Sequence, residues 1–437
     1  MRKINSFIGK LCAVALLALP VVFTSCDDDE VINAPQITGW EVPADIAVRP
    51  NESIEFKPVL NMTDPVSYQW SVNGKKVSEE SSYTFSTTDP GSYEIVFRAS
   101  NSSGSDEQKT TVNVRTYYGG FYMVNEGWFG HANETATIQY YNGKWSDYLY
   151  SEANGAATGT NAVIHNNVFY YTLKDAAHAV VAFDVNTFEV KGYVDITGVA
   201  TQGRSFAVVN DKYGILTTNK GAFIVGLTNL TLGPQLPGTS GECTDIAITE
   251  DYILVRNSQI KVYNKDKFTF VKNLETRVNT GFVYSKDGNL WGATSDKLIK
   301  FDPRTLESSE VIIPANIRII TMAYTPCAIA ASPTENAIFF GSGNKKDIYK
   351  YIIGNETSLD EPFALIPAEI NNYNFYGAGV ACHPETGDVY AIYNRGWPEY
   401  FKNAIVIYDG KTGVQKEFID YTSDLKYPFP SMIVFDL

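Results

Sequence analysis

Gly379-Val380-Ala381-Cys382-His383, followed further on by Tyr408-Asp409-Gly410-Lys411-Thr412, brackets the unit from which most of this chain is built. The first segment is a strand of small and apolar residues ending in a polar turn. The second is the exit of an apolar strand into a tight turn, where an Asp or Asn side chain bonds to the backbone just ahead of it. The opening segment recurs at Ala162-Val163-Ile164-His165-Asn166, Ser205-Phe206-Ala207-Val208-Val209-Asn210, Thr244-Asp245-Ile246-Ala247-Ile248, Gly281-Phe282-Val283-Tyr284-Ser285 and Ala328-Ile329-Ala330-Ala331-Ser332. The closing segment recurs at Tyr141-Asn142, Phe183-Asp184-Val185-Asn186-Thr187, Tyr263-Asn264-Lys265-Asp266-Lys267 and Phe301-Asp302-Pro303-Arg304-Thr305, with degenerate copies near Leu227 and Tyr351. Successive closing segments fall about 37 to 57 residues apart, bracketing the roughly 40 to 45 residues of a four-stranded propeller blade. The spacing predicts an all-β chain whose main domain, residues 117–437, is a seven-bladed β-propeller.

The first closing segment, at Tyr141, lacks its opening partner. Upstream of it stands one strand, Phe121-Tyr122-Met123-Val124, while Ser431-Met432-Ile433-Val434-Phe435 is a terminal strand without a blade. Open strand edges favour aggregation, so the C-terminal strand is expected to become the innermost strand of the first blade.

Residues 36–115 read differently. Short alternating strands such as Ser67-Tyr68-Gln69-Trp70-Ser71-Val72 and Ser92-Tyr93-Glu94-Ile95-Val96-Phe97-Arg98, with turn residues between them, suit a β-sandwich. Tyr68-Gln69-Trp70, Asn73-Gly74, Asp89-Pro90-Gly91-Ser92-Tyr93 and Ala99-Ser100-Asn101 resemble the PKD-type immunoglobulin-like domain. The resemblance implies that Trp70 is the core tryptophan and that Tyr93 sits at the corner entering the penultimate strand. With no cysteine pair, this sandwich depends on its aromatic core.

The N-terminus reads as a lipoprotein signal over residues 1–25. Arg2, Lys3 and Lys10 supply positive charge, an apolar stretch too short to span a bilayer follows, and Phe23-Thr24-Ser25-Cys26 forms the cleavage site. Cys26 is the expected lipidation site. The tether, residues 26–35, carries Asp27-Asp28-Asp29-Glu30, which resembles the acidic export tag of Bacteroidetes lipoproteins displayed outside the outer membrane. The expected location is therefore the outer membrane, lipid-anchored and facing outward.

With 35 basic against 49 acidic residues and a net charge of −14, nucleic acid is excluded as a partner, because phosphate binding needs a basic surface. Cys243, Cys327 and Cys382 fall in or beside inner strands of different blades and read as packing groups. The Asp and Asn residues of the closing turns read as turn formers and not as a metal ring. His131, His165, His178 and His383 belong to no metal or nucleophile motif, and His165 and His383 suit their turns. No enzyme, metal or cofactor is expected.

The propeller resembles the seven-bladed YVTN/YncE-like class through Ser332-Pro333-Thr334-Glu335-Asn336 and His383-Pro384-Glu385-Thr386-Gly387-Asp388-Val389-Tyr390. Its opening, Met123-Val124-Asn125-Glu126-Gly127-Trp128-Phe129-Gly130 with Asn133-Glu134-Thr135-Ala136-Thr137-Ile138-Gln139-Tyr140-Tyr141, resembles Bacteroidetes surface lipoproteins that include cobalamin-capturing partners of vitamin B12 transporters. That likeness implies capture of a small ligand, a corrinoid or a glycan, for a TonB-dependent outer-membrane transporter. A glycan- or protein-binding scaffold and a polysaccharide-active propeller enzyme are the alternatives.

In a four-stranded antiparallel blade, the loop entering the inner strand and the loop joining strands two and three emerge on one face. Here those loops concentrate aromatic side chains with a few cations, a pattern that suits a flat ligand. The expected ligand-binding residues are Trp128, Phe129, Arg204, Arg256, Tyr373, Tyr376, Trp397, Tyr400 and Tyr427.

The anchor is directly testable. Cys26→Ser is expected to abolish incorporation of labelled lipid and to move the protein from the membrane to the soluble fraction. Replacing residues 27–30 with Ala should leave it lipidated but shielded from protease added to intact cells. A Cys26→Ser protein that stays with the membrane contradicts the first expectation, and unchanged cleavage of the second variant contradicts the other.

Overall fold

A computed structural model describes residues 32–40, 42–43, 45–62, 66–127, 137–146, 158–321, 329–422 and 429–436. Cys26 and Cys327 lie outside the described residues.

The N-terminal unit is a β-sandwich. Its larger sheet runs in the order Asp45–Val48, Gly104–Val114, Gly91–Asn101, Ser67–Val72, Lys75–Ser78, and the first pair is parallel. Facing it are the pairs Ile54–Phe56 with Tyr83–Phe85 and Ile37–Gly39 with Val59–Leu60. The aromatic core is as expected: Trp70, Phe56 and Phe97 are fully buried, and Trp40 stacks on all three. The Trp70 indole meets its need for an acceptor at the Glu80 carbonyl, 2.9 Å away. The Tyr93 hydroxyl donates to the Asp89 carbonyl at 2.8 Å, which pins the corner into the penultimate strand.

Beyond Arg115 the described residues form seven antiparallel sheets around an axis. Six have four strands and one has three. The inner strands are Gly159–His165, Gly203–Asn210, Ile246–Ile248, Val283–Tyr284, Ile329–Ala331 and Asn374–Cys382, with Pro430–Phe435 the seventh. This last strand pairs antiparallel with Phe121–Asn125, so blade one is closed from the chain terminus as the orphan strand predicts. Gly377, in the inner strand of blade seven, makes this closure possible. At its φ of +60° a Cβ would lie 2.3 Å from the Ser431 carbonyl oxygen, so only glycine fits there.

The closing turns share one chemistry. Asp184, Asn264, Asp302 and Asp409 each accept from the amides two and three residues on, at 2.8–3.3 Å. The next position is left-handed and holds Phe188, Phe268, Leu306 or Gly413. Phe188 and Leu306 are buried, so the turn swings an apolar plug between blades at the cost of an uncommon φ. Blade six departs from the pattern. Its third strand, Ile348–Ile352, meets only a bridge at Ala364 where a fourth strand would run, and Pro362 and Pro367 flank that bridge without amides to donate.

The sandwich is not an independent spacer. Arg115, at the end of its last strand, forms a 2.5 Å ion pair with Asp436 at the end of the closing strand, and both side chains are at least 95% buried. The Tyr122 hydroxyl also donates to Asp436, at 3.0 Å. Burial pushes the Asp436 carboxyl up, while Arg115 and the Tyr122 hydrogen bond pull it back; the net direction is upward. Asn186 bonds to Ser92 at 3.4 Å, and the Thr116 amide bonds to the Asn186 carbonyl at 2.9 Å. These contacts all lie on the face carrying the closing turns. They cross the boundary near Thr116 because the closing strand ends there.

Removing one partner of a buried ion pair typically costs about 3–5 kcal/mol, because the other charge is left unpaired. Arg115→Ala is therefore expected to lower the unfolding free energy of the propeller by that order, seen as a lower midpoint of denaturant unfolding. Deleting residues 431–437 should lower it further and cause aggregation. The apolar pair Arg115→Met with Asp436→Leu should recover much of the loss. Equal midpoints for Arg115→Ala and the parent chain would show that the junction is not coupled to the ring.

Candidate functional site: an aromatic stack on the face opposite the sandwich

The face opposite the sandwich carries the loops that enter the inner strands and those that join strands two and three. On it four rings form a continuous stack. Trp397 lies nearly parallel to Tyr400, with centroids 5.4 Å apart and planes at 11°. Tyr400 lies parallel to Phe429 at 5.2 Å and 15°, and Phe429 packs on Tyr376 at 5.1 Å. Tyr400 is buried, whereas Trp397 is 71% exposed and presents ring surface to solvent. An exposed indole backed by buried Tyr400 and half-buried Phe429 and Tyr376 is a preorganised stacking platform, since little side-chain freedom remains to be lost on binding.

The loop that holds Trp397 is pinned from beneath. The Asn394 amide donates to the Tyr400 carbonyl at 2.6 Å and to Asn403 Oδ1 at 2.5 Å, while its oxygen accepts from the Gly396 amide at 2.7 Å. The Arg395 amide reaches the Lys402 carbonyl at 3.0 Å. Glu399 joins the loop's charges, pairing with Arg395 at 2.5 Å and with Lys402.

At the other end of the stack the Tyr376 hydroxyl donates to Glu126, which is also paired with Lys174. Burial first, and the Glu126 carboxylate second, push the Tyr376 hydroxyl far up, so it stays protonated as a donor. The Glu126 amide bonds to the Phe429 carbonyl at 2.8 Å. Blades one, two and seven therefore meet at this point.

Of the residues expected at the site, Tyr376, Trp397 and Tyr400 are brought together. Tyr373 lies in the loop entering blade seven, half-buried against the core of blades six and seven. The two cations are already committed. Arg204 is buried and paired with Glu242, with a further 2.7 Å bond to Gln202, and Arg256 is paired with Asp245 at 2.5 Å. Trp128, Phe129 and Tyr427 lie outside the described residues. Phe429 and Glu126 join the site although neither is among the expected ligand-binding residues; their roles depend on contacts between distant blades, which spacing along the chain does not report.

The central channel is distinct from the stack. It holds cavities of about 510 and 320 Å³, both lined by Met432 and Val283 and walled mainly by small apolar residues of the inner strands. His165 lies at the opposite end, 3.1 Å from Asp211, and His383 Nδ1 accepts from the Glu385 and Thr386 amides within its turn. Cys243 is buried, which pushes its thiol up to about 12, consistent with packing. Cys382, half-buried, is pushed up to about 12 for the same reason.

One solved structure supports the fold, and two others align more weakly. A quinoprotein alcohol dehydrogenase-like protein from Bacteroides thetaiotaomicron is 19% identical, with a TM-score of 0.60, and the alignment covers 93% of this chain and all of that one. The extracellular domain of a putative one-component system of the same organism aligns at 10% identity and a TM-score of 0.46, over 63% of this chain and 35% of that one. The computationally designed Ika8 protein aligns at 11% identity and a TM-score of 0.45, over 69% and 88%. A search of curated proteins finds no match. Residues 35–101 match the family described as a PKD-like domain. Residues 119–436 match the family described as a domain of unknown function, DUF5074, and the chain belongs to that family.

Proposed function

We propose that this chain is a lipid-anchored, non-catalytic capture protein at the cell surface. It holds a small flat ligand, a corrinoid in the reading favoured by the Asn125-Glu126-Gly127 resemblance, for a TonB-dependent outer-membrane transporter. The observation that carries the proposal is the Trp397–Tyr400–Phe429–Tyr376 stack with its exposed terminal indole. A corrin ring or a sugar ring meets such a surface through apolar contact, and the rigid backing keeps the entropic cost low. Because a sugar stacks on an exposed indole equally well, a glycan is the second reading.

The architecture supports presentation away from an anchor. Ile32, six residues after Cys26, is bonded to Ser103 at the far tip of the long hairpin of the sandwich. The strand Gly104–Val114 then runs 11 residues toward the propeller. At roughly 3.3 Å per residue that is about 35 Å, and the propeller's own inner strands add to it. The stack lies on the face turned away from the sandwich, so a tether at Cys26 leaves it open to ligand from the medium.

Titration calorimetry of the full chain with cyanocobalamin and with a panel of neutral oligosaccharides tests both readings. A saturable exothermic isotherm with one of them is expected, and Trp397→Ala should weaken it by about 2 kcal/mol or more. Because Trp397 is 71% exposed, the same substitution should leave the melting temperature nearly unchanged. Arg204→Ala should affect stability more than affinity. Binding that survives Trp397→Ala would overturn the site, and the absence of heat with cyanocobalamin would overturn the corrinoid.

A further inference from the structure

A second cavity, of about 230 Å³, lies between the sandwich and the propeller, on the side of the ring opposite the aromatic stack. Arg49 supplies its sandwich wall, and Gln139, Tyr141, Lys144, Trp145 and Ser146 supply the propeller wall. The Arg49 guanidinium lies 3.5 Å over the Tyr141 ring and donates to the Thr116 carbonyl and to Gln139 Oε1, each at 3.2 Å. Both acceptors are neutral. Glu52 bonds to the backbone amide of Arg49, and Asp436, near enough to feel the Arg49 charge, is already paired with Arg115.

Lys144 forms no ion pair among the described residues, and no carboxylate lines the cavity. Arg49 Nε and Trp145 Nε1 are in addition buried with no hydrogen-bond partner among the described residues. Buried donors left unpaired are costly, and here the charges of Arg49 and the exposed Lys144 face one cavity that no carboxylate lines. An anion between the two walls supplies an acceptor for Arg49 Nε and a partner for both charges.

We infer that this cavity binds a small acidic ligand, the size of one monosaccharide, whose carboxylate meets Arg49 and Lys144 while its ring packs against Tyr141 and Trp145. The volume limits the ligand, since it is below the roughly 300 Å³ at which sites for drug-sized molecules begin. Gln139 is committed to the Gly119 carbonyl and to Arg49, and Ser146 Oγ accepts from the Gln139 amide at 3.0 Å, so the walls offer the ligand charge and ring surface. Because the two walls belong to different domains, such a ligand stiffens the junction where Arg115 meets Asp436.

The test is calorimetric titration of the full chain carrying Cys26→Ser with sodium glucuronate, glucose and inorganic phosphate. Glucuronate should bind saturably and glucose should not. Lys144→Ala and Arg49→Lys should each weaken glucuronate by about tenfold or more, the loss expected of one charge-assisted contact. Lys144 is exposed, so its variant remains informative if Arg49→Lys disturbs the junction. Trp397→Ala should leave glucuronate affinity unchanged, which separates this site from the aromatic stack. No saturable heat, equal binding of glucose, equal binding of phosphate, or full affinity in Lys144→Ala would each overturn the inference.

Discussion

The pairing of Pro430–Phe435 with Phe121–Asn125 is the constraint on which the remaining features depend. One six-residue strand, about 20 Å long at a normal rise, closes the ring and passes through each feature in turn. Phe429 precedes it and sits in the middle of the aromatic stack. Met432 lines the channel. Asp436 follows it and meets Arg115 of the sandwich. The face with the aromatic stack, the axis and the domain junction are thus set by one segment, and a change in its register would displace all three at once.

The buried pair at the foot of that strand is better viewed as a register device than as a source of net stability. Desolvation of two charges offsets most of their attraction. The upward direction of the Asp436 carboxyl expresses the same balance. Misplacing the strand leaves two charges buried and unpaired, whereas the correct register satisfies both. Gly377 adds a steric condition to the electrostatic one, because no side chain fits against the Ser431 backbone.

Much of this was legible in the sequence because it rests on local chemistry. The Asp and Asn turns are local, which is why Asp184, Asn264, Asp302 and Asp409 reveal the blades. The orphan strand was legible by counting. Trp70 and Tyr93 could be placed because their surroundings are short-range in the sandwich motif. The left-handed Phe188 and Leu306 were not legible, since a plug at positive φ is dictated by the neighbouring blade. Nor was the commitment of Arg204 and Arg256 to Glu242 and Asp245, because in each case the carboxylate lies in a different strand or loop. The reduced outer strand of blade six shows in the sequence only as a wide gap between repeats.

A capture protein needs a face that is rigid, open and remote from its own anchor. The pinned loop at residues 394–403, the exposed Trp397 and the position of Ile32 at the far tip of the sandwich meet those three needs separately. Where a ligand lies tests the proposed capture role most directly. A crystal structure of the chain grown with whichever of cyanocobalamin and the neutral oligosaccharides calorimetry identifies should show its flat ring against Trp397, within contact distance of the indole and on the face away from the sandwich. Density in the central channel or on the sandwich side, with Trp397 still bare, would contradict the account.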